Sequence, residues 1–586
     1  MKKEKKEVLI LISLFLLLNL YKIIFSLFFS KPTFDTPQDL FSTLYAPAYY
    51  AGLDWHEIGS VYSEYYGYGF FSLFSFLFRL TTDGMVVYRI LVLICNLLSV
   101  FSCIICYKII KEFNLSCNSM QLYFISIVCV SFQHIGEIGV ANEYPLNLCV
   151  WMVVYILILL CKEGISPKRR MGLTILLSLL LVYSCTVHAR AIILFVLIIC
   201  CILYMAIKRR RCIVSIQVAV TGILLLIPYK IYTDYLQSAL LGKISLNSTV
   251  ATRVMRAAER VFVSPKMIYS ALCSVIFYCH ETVILSAGIA ALCIAAILYM
   301  IFWHEGKKVW NNMELEYRDK IFCGLVFSIM GIAIFIVGLC YTWMNAFYEG
   351  IYLHTREYLR GLTLTRYYTP FIGPAVCFTI ILLMKTGTIV YKNITRILLV
   401  TLLLIQMLFF FISYPAVKFT GWAGEQYVPF TLNQYKEPEE IYLTGILVVF
   451  LMGCFIIYAL RRNKWTLLMV VTFIHLVFGQ SYVFWDRNNK DVVFKQVDGG
   501  YEYFKEECGK KIYVYEEDSD NNETGNKETY YFLYQLLLPQ NNIIPLDDIE
   551  KIEQGLILTG NGNIAKEYDA YCDILQLDEN EWLLMK

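Results

Sequence analysis

Asp35 and Asp39 stand in Phe34-Asp35-Thr36-Pro37-Gln38-Asp39, just after an apolar N-terminal stretch. A carboxylate at the edge of such a stretch is partly desolvated, which raises its basicity and suits it to take a proton from a hydroxyl. His56 and Glu57 follow in Asp54-Trp55-His56-Glu57, and Tyr65-Tyr66-Gly67-Tyr68-Gly69 comes next. Glu143 stands in Asn142-Glu143-Tyr144-Pro145, His188-Ala189-Arg190 is a polar triplet between two apolar runs, and Arg356, Arg360 and Arg366 share a later segment with Glu357. A guanidinium offers a planar fork of donors that matches phosphate oxygens. Acids able to take a proton, with arginines able to hold a phosphate, suit a reaction between a phosphate-linked donor and a hydroxyl acceptor.

Each of these residues also has a plainer reading. Asp54 precedes Trp55-His56-Glu57 and can cap a helix there by accepting from the next turn's N–H groups, and Glu143 can answer the dipole of a helix that starts beside it. Arg190 can snorkel to lipid phosphate. Arg253, Arg256 and Arg260 fall on one helix face, as an anion stripe or as a solvated surface. Glu143, Asp39, His56 and His188 could converge on a divalent cation, although no ligand spacing demands one. The sequence contains no G-x-x-x-x-G-K-[ST], no H-E-x-x-H and no G-x-S-x-G, which argues against an ATP-driven pump, a zincin or a serine hydrolase.

The elements that must position these residues follow from composition. The chain has 586 residues, 58% of them apolar and only 17% charged, with net charge +3 and mean hydropathy +0.58. So little charge cannot cover a water-facing surface, which excludes a soluble globular enzyme, and no basic excess points to nucleic acid. Apolar runs long enough to cross a bilayer begin at Val8–Ser30 and recur near 86–107, 119–134, 144–161, 171–187, 191–207, 212–235, 282–303, 321–344, 370–390, 396–414, 441–460 and 465–484. They predict about 13 transmembrane helices. Alternate connections are basic (Lys108/Lys111, Lys168–Arg170, Lys208–Arg211, Lys307/Lys308, Lys385/Lys392, Arg461/Arg462), which places them and the N-terminus in the cytoplasm and the C-terminus outside the cell membrane. The stretch 267–281 is too short to cross and ends in Cys279-His280-Glu281, so it reads as an interfacial or re-entrant segment.

Two regions result: a membrane body, 1–484, with a first external loop at 31–85, and an acidic external domain, 485–586. Strand-like pieces at Lys511–Tyr515, Leu556–Thr559 and Ile574–Leu577 and a helix-like piece at Thr529–Leu538 make the second region a small α/β domain. Most of the twenty cysteines sit in apolar runs, where they act as small hydrophobes; Cys508 and Cys572, in the external domain, are free to pair.

An acid-bearing first external loop, Tyr66-Gly67-Tyr68-Gly69 leading to Tyr88-Arg89 and Asn96, an acid before the fourth span, a His/Arg turn after the fifth and Arg366-Tyr367 before Pro370 together resemble the GT-C superfamily of membrane glycosyltransferases. The likeness is to its branch of protein O-mannosyltransferases and aminoarabinose transferases. It implies an α-helical polytopic fold with a C-terminal external domain. It also implies transfer of a sugar from a polyprenyl-phosphate carrier at the external face to a glycan, lipid or protein acceptor. A first-loop carboxylate is then the base. The family commonly has an adjacent acidic pair where this chain has Gln38-Asp39, so Asp35 and Asp39 both stand as candidates. An inverting displacement follows, with Arg190, Arg356, Arg360 and Arg366 on the phosphate and Glu143, His56, Glu57, Tyr66, Tyr68 and His188 around the pocket. The competing readings are a lipid-linked polysaccharide polymerase or ligase, a lipid or sugar transporter or flippase, and a non-catalytic scaffold.

Overall fold

The computed structural model describes residues 2–32, 37–132, 139–242, 263–353, 367–417, 438–489, 497–516, 527–569, 571–578 and 581–586. Its helices in chain order are α1 (Lys2–Leu18), α2 (Leu20–Phe28), α3 (Pro37–Ala51), α4 (His56–Tyr62), α5 (Leu77–Leu80), α6 (Gly84–Lys111), α7 (Ser119–Ser131), α8 (Glu143–Leu160), α9 (Pro167–Val187), α10 (Ile193–Arg209), α11 (Ile216–Leu224) and α12 (Leu226–Leu241). Then follow α13 (Pro265–Leu285), α14 (Ile289–Phe302), α15 (His304–Asn312), α16 (Leu315–Tyr352), α17 (Thr369–Thr386), α18 (Tyr391–Leu408), α19 (Pro438–Arg461) and α20 (Trp465–Asn489). Among the described residues nine helices are long and apolar enough to cross a membrane, or up to eleven if each bent pair counts as one span. Shorter apolar helices, α7 among them, account for the higher number expected from the sequence.

Local sequence starts these helices where polar side chains can take the unpaired first-turn N–H groups. Asp83 accepts from Met85 N and Val86 N ahead of α6, and Asn118 with Gln121 forms a capping box on α7. Ser166 and Ser264 cap α9 and α13, each followed by Pro at the first helical position.

The connections expected in the cytoplasm meet at one end of the bundle. Lys111 pairs with Glu7 (2.7 Å), Lys162 with Glu112 (3.2 Å), and Lys320 with Glu112 (3.7 Å) and Glu316 (2.5 Å). Arg209 pairs with Asp319 (2.7 Å). Part of the positive charge that marks these loops is thus tied into ion pairs that join the N-terminal helix and four connections.

The expectation for 267–281 is corrected. These residues belong to a continuous 21-residue helix, α13, followed after a turn by α14. Near its start, Cys273 Sγ donates to Ile412 O at the far end of the α18 span, and Tyr278 meets Tyr368 at the mouth of α17. Cys293 in α14 lies beside Ala375 within α17, and Glu305 just beyond accepts from Asn393 Nδ2 at 2.9 Å near the start of α18. By length and composition α13 can cross by itself, while α14 passes that test only together with α15, from which it is bent by 90°. The turn between them has Ala287 and Gly288 in the left-handed region (φ 52° and 80°). Glu281 reads in sequence as a loop residue, yet it is completely buried, facing Tyr278 and Tyr368 within the bundle.

The C-terminal region is a small domain with helices α21 (Asp498–Phe504), α22 (Lys527–Leu537) and α23 (Gly562–Glu567) and strands β1 (Lys511–Tyr515), β2 (Asn542–Leu546), β3 (Leu556–Thr559), β4 (Asp573–Asp578) and β5 (Glu581–Met585). The sheet order is β2-β1-β3-β5-β4; β1 pairs in parallel with β2 and β3, while β5 runs antiparallel to β3 and β4. Cys508 and Cys572 are both free thiols, the first exposed and the second buried.

This domain sits on the first loop. Trp55 Nε1 donates to Pro539 O at 3.0 Å, Phe41 packs on Phe532 with ring centroids 5.2 Å apart, and Tyr501 donates to Asp83 Oδ1 at 3.0 Å. Gly84 lets the α22 backbone approach so closely that a Cβ there would come within 2.8 Å of the Leu536 carbonyl carbon.

Candidate active site

The first loop and the end of the fifth span are joined by backbone pairing. Ala189 N donates to Tyr66 O at 2.9 Å and Gly69 N donates to Thr186 O at 2.8 Å, so 66–69 lies as a strap along 186–189. Both glycines of Tyr66-Gly67-Tyr68-Gly69 are required by this approach. A Cβ on Gly67, which has φ +134°, would lie 2.6 Å from the Val187 carbonyl carbon and 2.9 Å from His188 Cα, and one on Gly69 would lie 2.6 Å from Thr186 Cβ.

The strap joins two groups of functional side chains. Tyr66 lies beside the carboxylates of Asp39 and Glu64, donating to Glu64 Oε2 at 3.2 Å. Burial, and then the charge of Asp39, push its phenol well above the ordinary tyrosine range. Asp39 is in the first turn of α3. One turn further along, Thr43 Oγ1 accepts from Asn142 Nδ2 at 3.5 Å, which sets Glu143, the first residue of α8, beside the same helix. Glu143 Oε1 lies 3.6 Å from Arg190 Nη1 and 3.8 Å from His188 Nε2. His188 Nδ1 accepts from Arg190 N at 3.2 Å, so the proton of a neutral ring sits on Nε2, toward Glu143.

Arg190 is positioned without spending its donors. Its guanidinium lies 3.3 Å from the ring centroid of Tyr367 and faces Glu143 beyond hydrogen-bond range. Its side chain is 27% exposed, so the fork stays open to an anion.

Asp39 and Tyr66 thus form one cluster with Glu64, and Glu143, His188 and Arg190 form another, on elements joined by the strap and by the Asn142–Thr43 bond. His56 does not join them: its Nδ1 faces Tyr45 Oη at 3.5 Å, and Tyr45 in turn donates to Leu240 O. Glu57 is exposed on α4, and Tyr68 packs against Tyr65, their rings edge to face at 4.8 Å. Asp54 accepts from His56 N at 3.3 Å, as expected of a residue that starts a helix. Asp35, Arg356, Arg360 and Arg366, with Arg253, Arg256 and Arg260, lie outside the described residues. Glu64, an acid two residues ahead of Tyr66, escaped the sequence reading, and Tyr367 entered it only within Arg366-Tyr367, with no role of its own. Among the described residues, the only three metal-capable side chains whose ligand atoms converge are Cys106, Cys129 and Cys377, buried between α6, α7 and α17.

The sequence matches no protein-family model and no curated protein. The fold does have counterparts: this is a multi-pass helical membrane protein whose architecture is shared with solved structures. Specifically, it is similar to ArnT from Cupriavidus metallidurans bound to undecaprenyl phosphate, with a TM-score of 0.52 and 12% identity over 98% of this chain and 97% of that one. The apo state of the same ArnT gives 0.50 and 11% over the same shares. At such identity the likeness is one of fold.

Proposed function

We propose that this chain is a membrane glycosyltransferase that moves a sugar from a polyprenyl-phosphate carrier to an acceptor hydroxyl. The observation that supports the proposal is the strap, whose backbone pairing joins the segment of Tyr66, which lies beside Asp39, to the turn carrying His188 and Arg190, which face Glu143. Asp39 takes the proton of the acceptor hydroxyl, whose oxygen attacks the anomeric carbon from the face opposite the phosphate. The bond from that carbon to the phosphate oxygen breaks, and its electron pair leaves with the carrier phosphate. Arg190 stabilises the charge that grows there, an interaction stronger in the transition state than in the ground state. Glu143 is a positioning residue that holds Arg190 in place. Asp35 remains an alternative base, and Arg356, Arg360 and Arg366 would add to the phosphate grip. The basic connections at the opposite end support an outward-facing site, with the N-terminus in the cytoplasm and the C-terminal domain outside.

The test uses the full chain in liposomes with radiolabelled polyprenyl-phosphate sugars and glycan, lipid or peptide acceptors. The expected result is label moved from carrier to acceptor, with Asp39→Asn reducing turnover by at least about 100-fold. Full transfer by Asp39→Asn and Asp35→Asn together would overturn the assignment of the base. Label that crosses the bilayer still joined to its carrier would make the protein a flippase.

A further inference from the structure

The end of the bundle away from the strap carries a separate concentration of charge. There α9 begins at Pro167, and it ends beside the strap about 30 Å away. Lys168, Arg169 and Arg170 stand in its first turn, and Lys208, Arg209, Arg210 and Arg211 close α10. Hydrogen bonds fold the second group onto the first. Ser215 N donates to Thr174 Oγ1 at 3.1 Å, Arg211 Nη1 donates to Cys161 O at 3.3 Å, and Arg211 Nη2 donates to Lys162 O. The connection 210–215 therefore lies along the start of α9, and the two basic runs make one corner.

The acids around this corner are taken by other cations. Glu112 faces Lys162 and Lys320, Glu316 faces Lys320, and Asp319 faces Arg209. Glu163 is exposed in the connection before α9, where its own N–H donates to Glu316 Oε2 at 3.1 Å. Every connection at this end lies within the described residues, and among these Lys168, Arg169, Arg170, Lys208 and Arg210 have no carboxylate partner. Like charges so gathered repel one another, and three cations in the first turn of α9 also oppose its dipole. An anion seated among them removes both costs.

The neighbouring side chains decide which anion. Met171 and Ile175 on α9, Leu203 and Ile207 on α10, and Ile216 and Val220 on α11 are apolar and exposed, as suits contact with acyl chains. Met171 follows Arg170 and Ile207 precedes Lys208, so the cations stand at the edge of the hydrocarbon, at the depth of lipid phosphates. Because α10 packs on α16 while α11 packs on α9, apolar faces flank the corner on both sides. Arg170 is only partly exposed, with its Nε covered, so its stem is fixed in the wall. A guanidinium fork matches phosphate oxygens. We infer that this corner binds the phosphate of an anionic phospholipid, drawn from the cytoplasmic leaflet in the orientation proposed above, with its acyl chains along α9, α10 and α11. The inference is independent of the glycosyl-transfer reading.

Native mass spectrometry of the full chain, released from detergent after addition of phosphatidylglycerol or phosphatidylcholine, reads the binding directly. The expected result is retained phosphatidylglycerol and no retained phosphatidylcholine. A cation near an anionic lipid surface strengthens binding about 5-fold, so Arg169→Gln, Arg170→Gln and Arg210→Gln combined should weaken retention roughly 100-fold. Arg461→Gln, Arg462→Gln and Lys464→Gln combined, in another basic connection at the same end, should leave it unchanged. Photo-crosslinking of a headgroup-diazirine phosphatidylglycerol to the unaltered chain in vesicles needs no variant to fold, and label is expected in 167–174 and 207–216. Equal retention of the two lipids, equal losses from the two triple variants, displacement of the lipid by glycerol phosphate, or label confined to other connections would overturn the inference.

Discussion

Arg190 is held by its flat face on Tyr367 and by the charge of Glu143, which leaves its donors for a ligand. A lysine keeps the charge but has neither the face nor the fork. Arg190→Lys should therefore lower turnover by about 100-fold, because the lost contact acts on the leaving phosphate. Tyr367→Leu should cost less, roughly 2- to 30-fold, the range of a cation–π contact of about 0.5–2 kcal/mol. Steady-state kinetics in liposomes checks both, with the Arg190 effect expected chiefly in kcat. Asp39, Glu143, His188 and Arg190 stood out in the sequence because ionisable groups beside apolar runs either cap or anchor a span or face a cavity, and the fold sets Glu143 within 4 Å of His188 and Arg190. His56 and Glu57 are of the same residue types, and only the fold could show that α4 turns them away. Glu64 was hidden for the opposite reason, since a single acid in a loop carries little signal until its neighbours are known, and the stacking role of Tyr367 beside the named Arg366 was hidden with it.

The strap is the element that makes the site. Gly67→Ala places a Cβ against the Val187 carbonyl at a φ that disfavours side chains, so the strap must shift. The expected outcome is near-complete loss of transfer with only a small drop in Tm, measured on the purified protein, because the helices on either side do not depend on the strap. At the break between α13 and α14 the strain runs the other way. Ala287 has φ 52°, so Ala287→Gly relieves left-handed strain of roughly 1–2 kcal/mol against an entropic cost of about 0.4–1 kcal/mol and should raise Tm. Hydropathy showed most spans, since a run of about 20 apolar residues has few other uses in a chain so poor in charge. It misread 267–281 because Glu281 looked like a loop residue and is instead buried inside the bundle. In the C-terminal domain β1, β3, β4 and α22 were visible, but β2 contains Pro545, which argues against a strand. The fold accommodates it because β2 is an edge strand that pairs only with β1.

At the scale of the molecule, composition identified the bilayer as solvent, whereas the seating of the C-terminal domain on the first loop depends on contacts that no local pattern encodes. That domain contains a pH-sensitive group. Glu581, fully buried, accepts from Tyr534 Oη and from Gly500 N at 2.8 Å, and burial raises its carboxyl from 4.5 to about 7. The folded domain holds this proton more tightly than the unfolded chain does. Its contribution is complete below about pH 4.5 and is lost as pH rises through 7, a difference on the order of 3 kcal/mol. Scanning fluorimetry of the full chain should show Tm falling over that interval. Glu581→Gln should flatten the slope, with Tyr534 turning from donor to acceptor.

The bond from Trp55 to Pro539 spans 484 residues of sequence. At about 5–20 residues per second, roughly 25–100 s of synthesis separate its two ends. Through that interval Phe41 and Trp55 lack the surface that will cover them, while most of the helices are inserted beneath. The first loop is among the first segments to leave the ribosome and, through these contacts, among the last to reach its final shape.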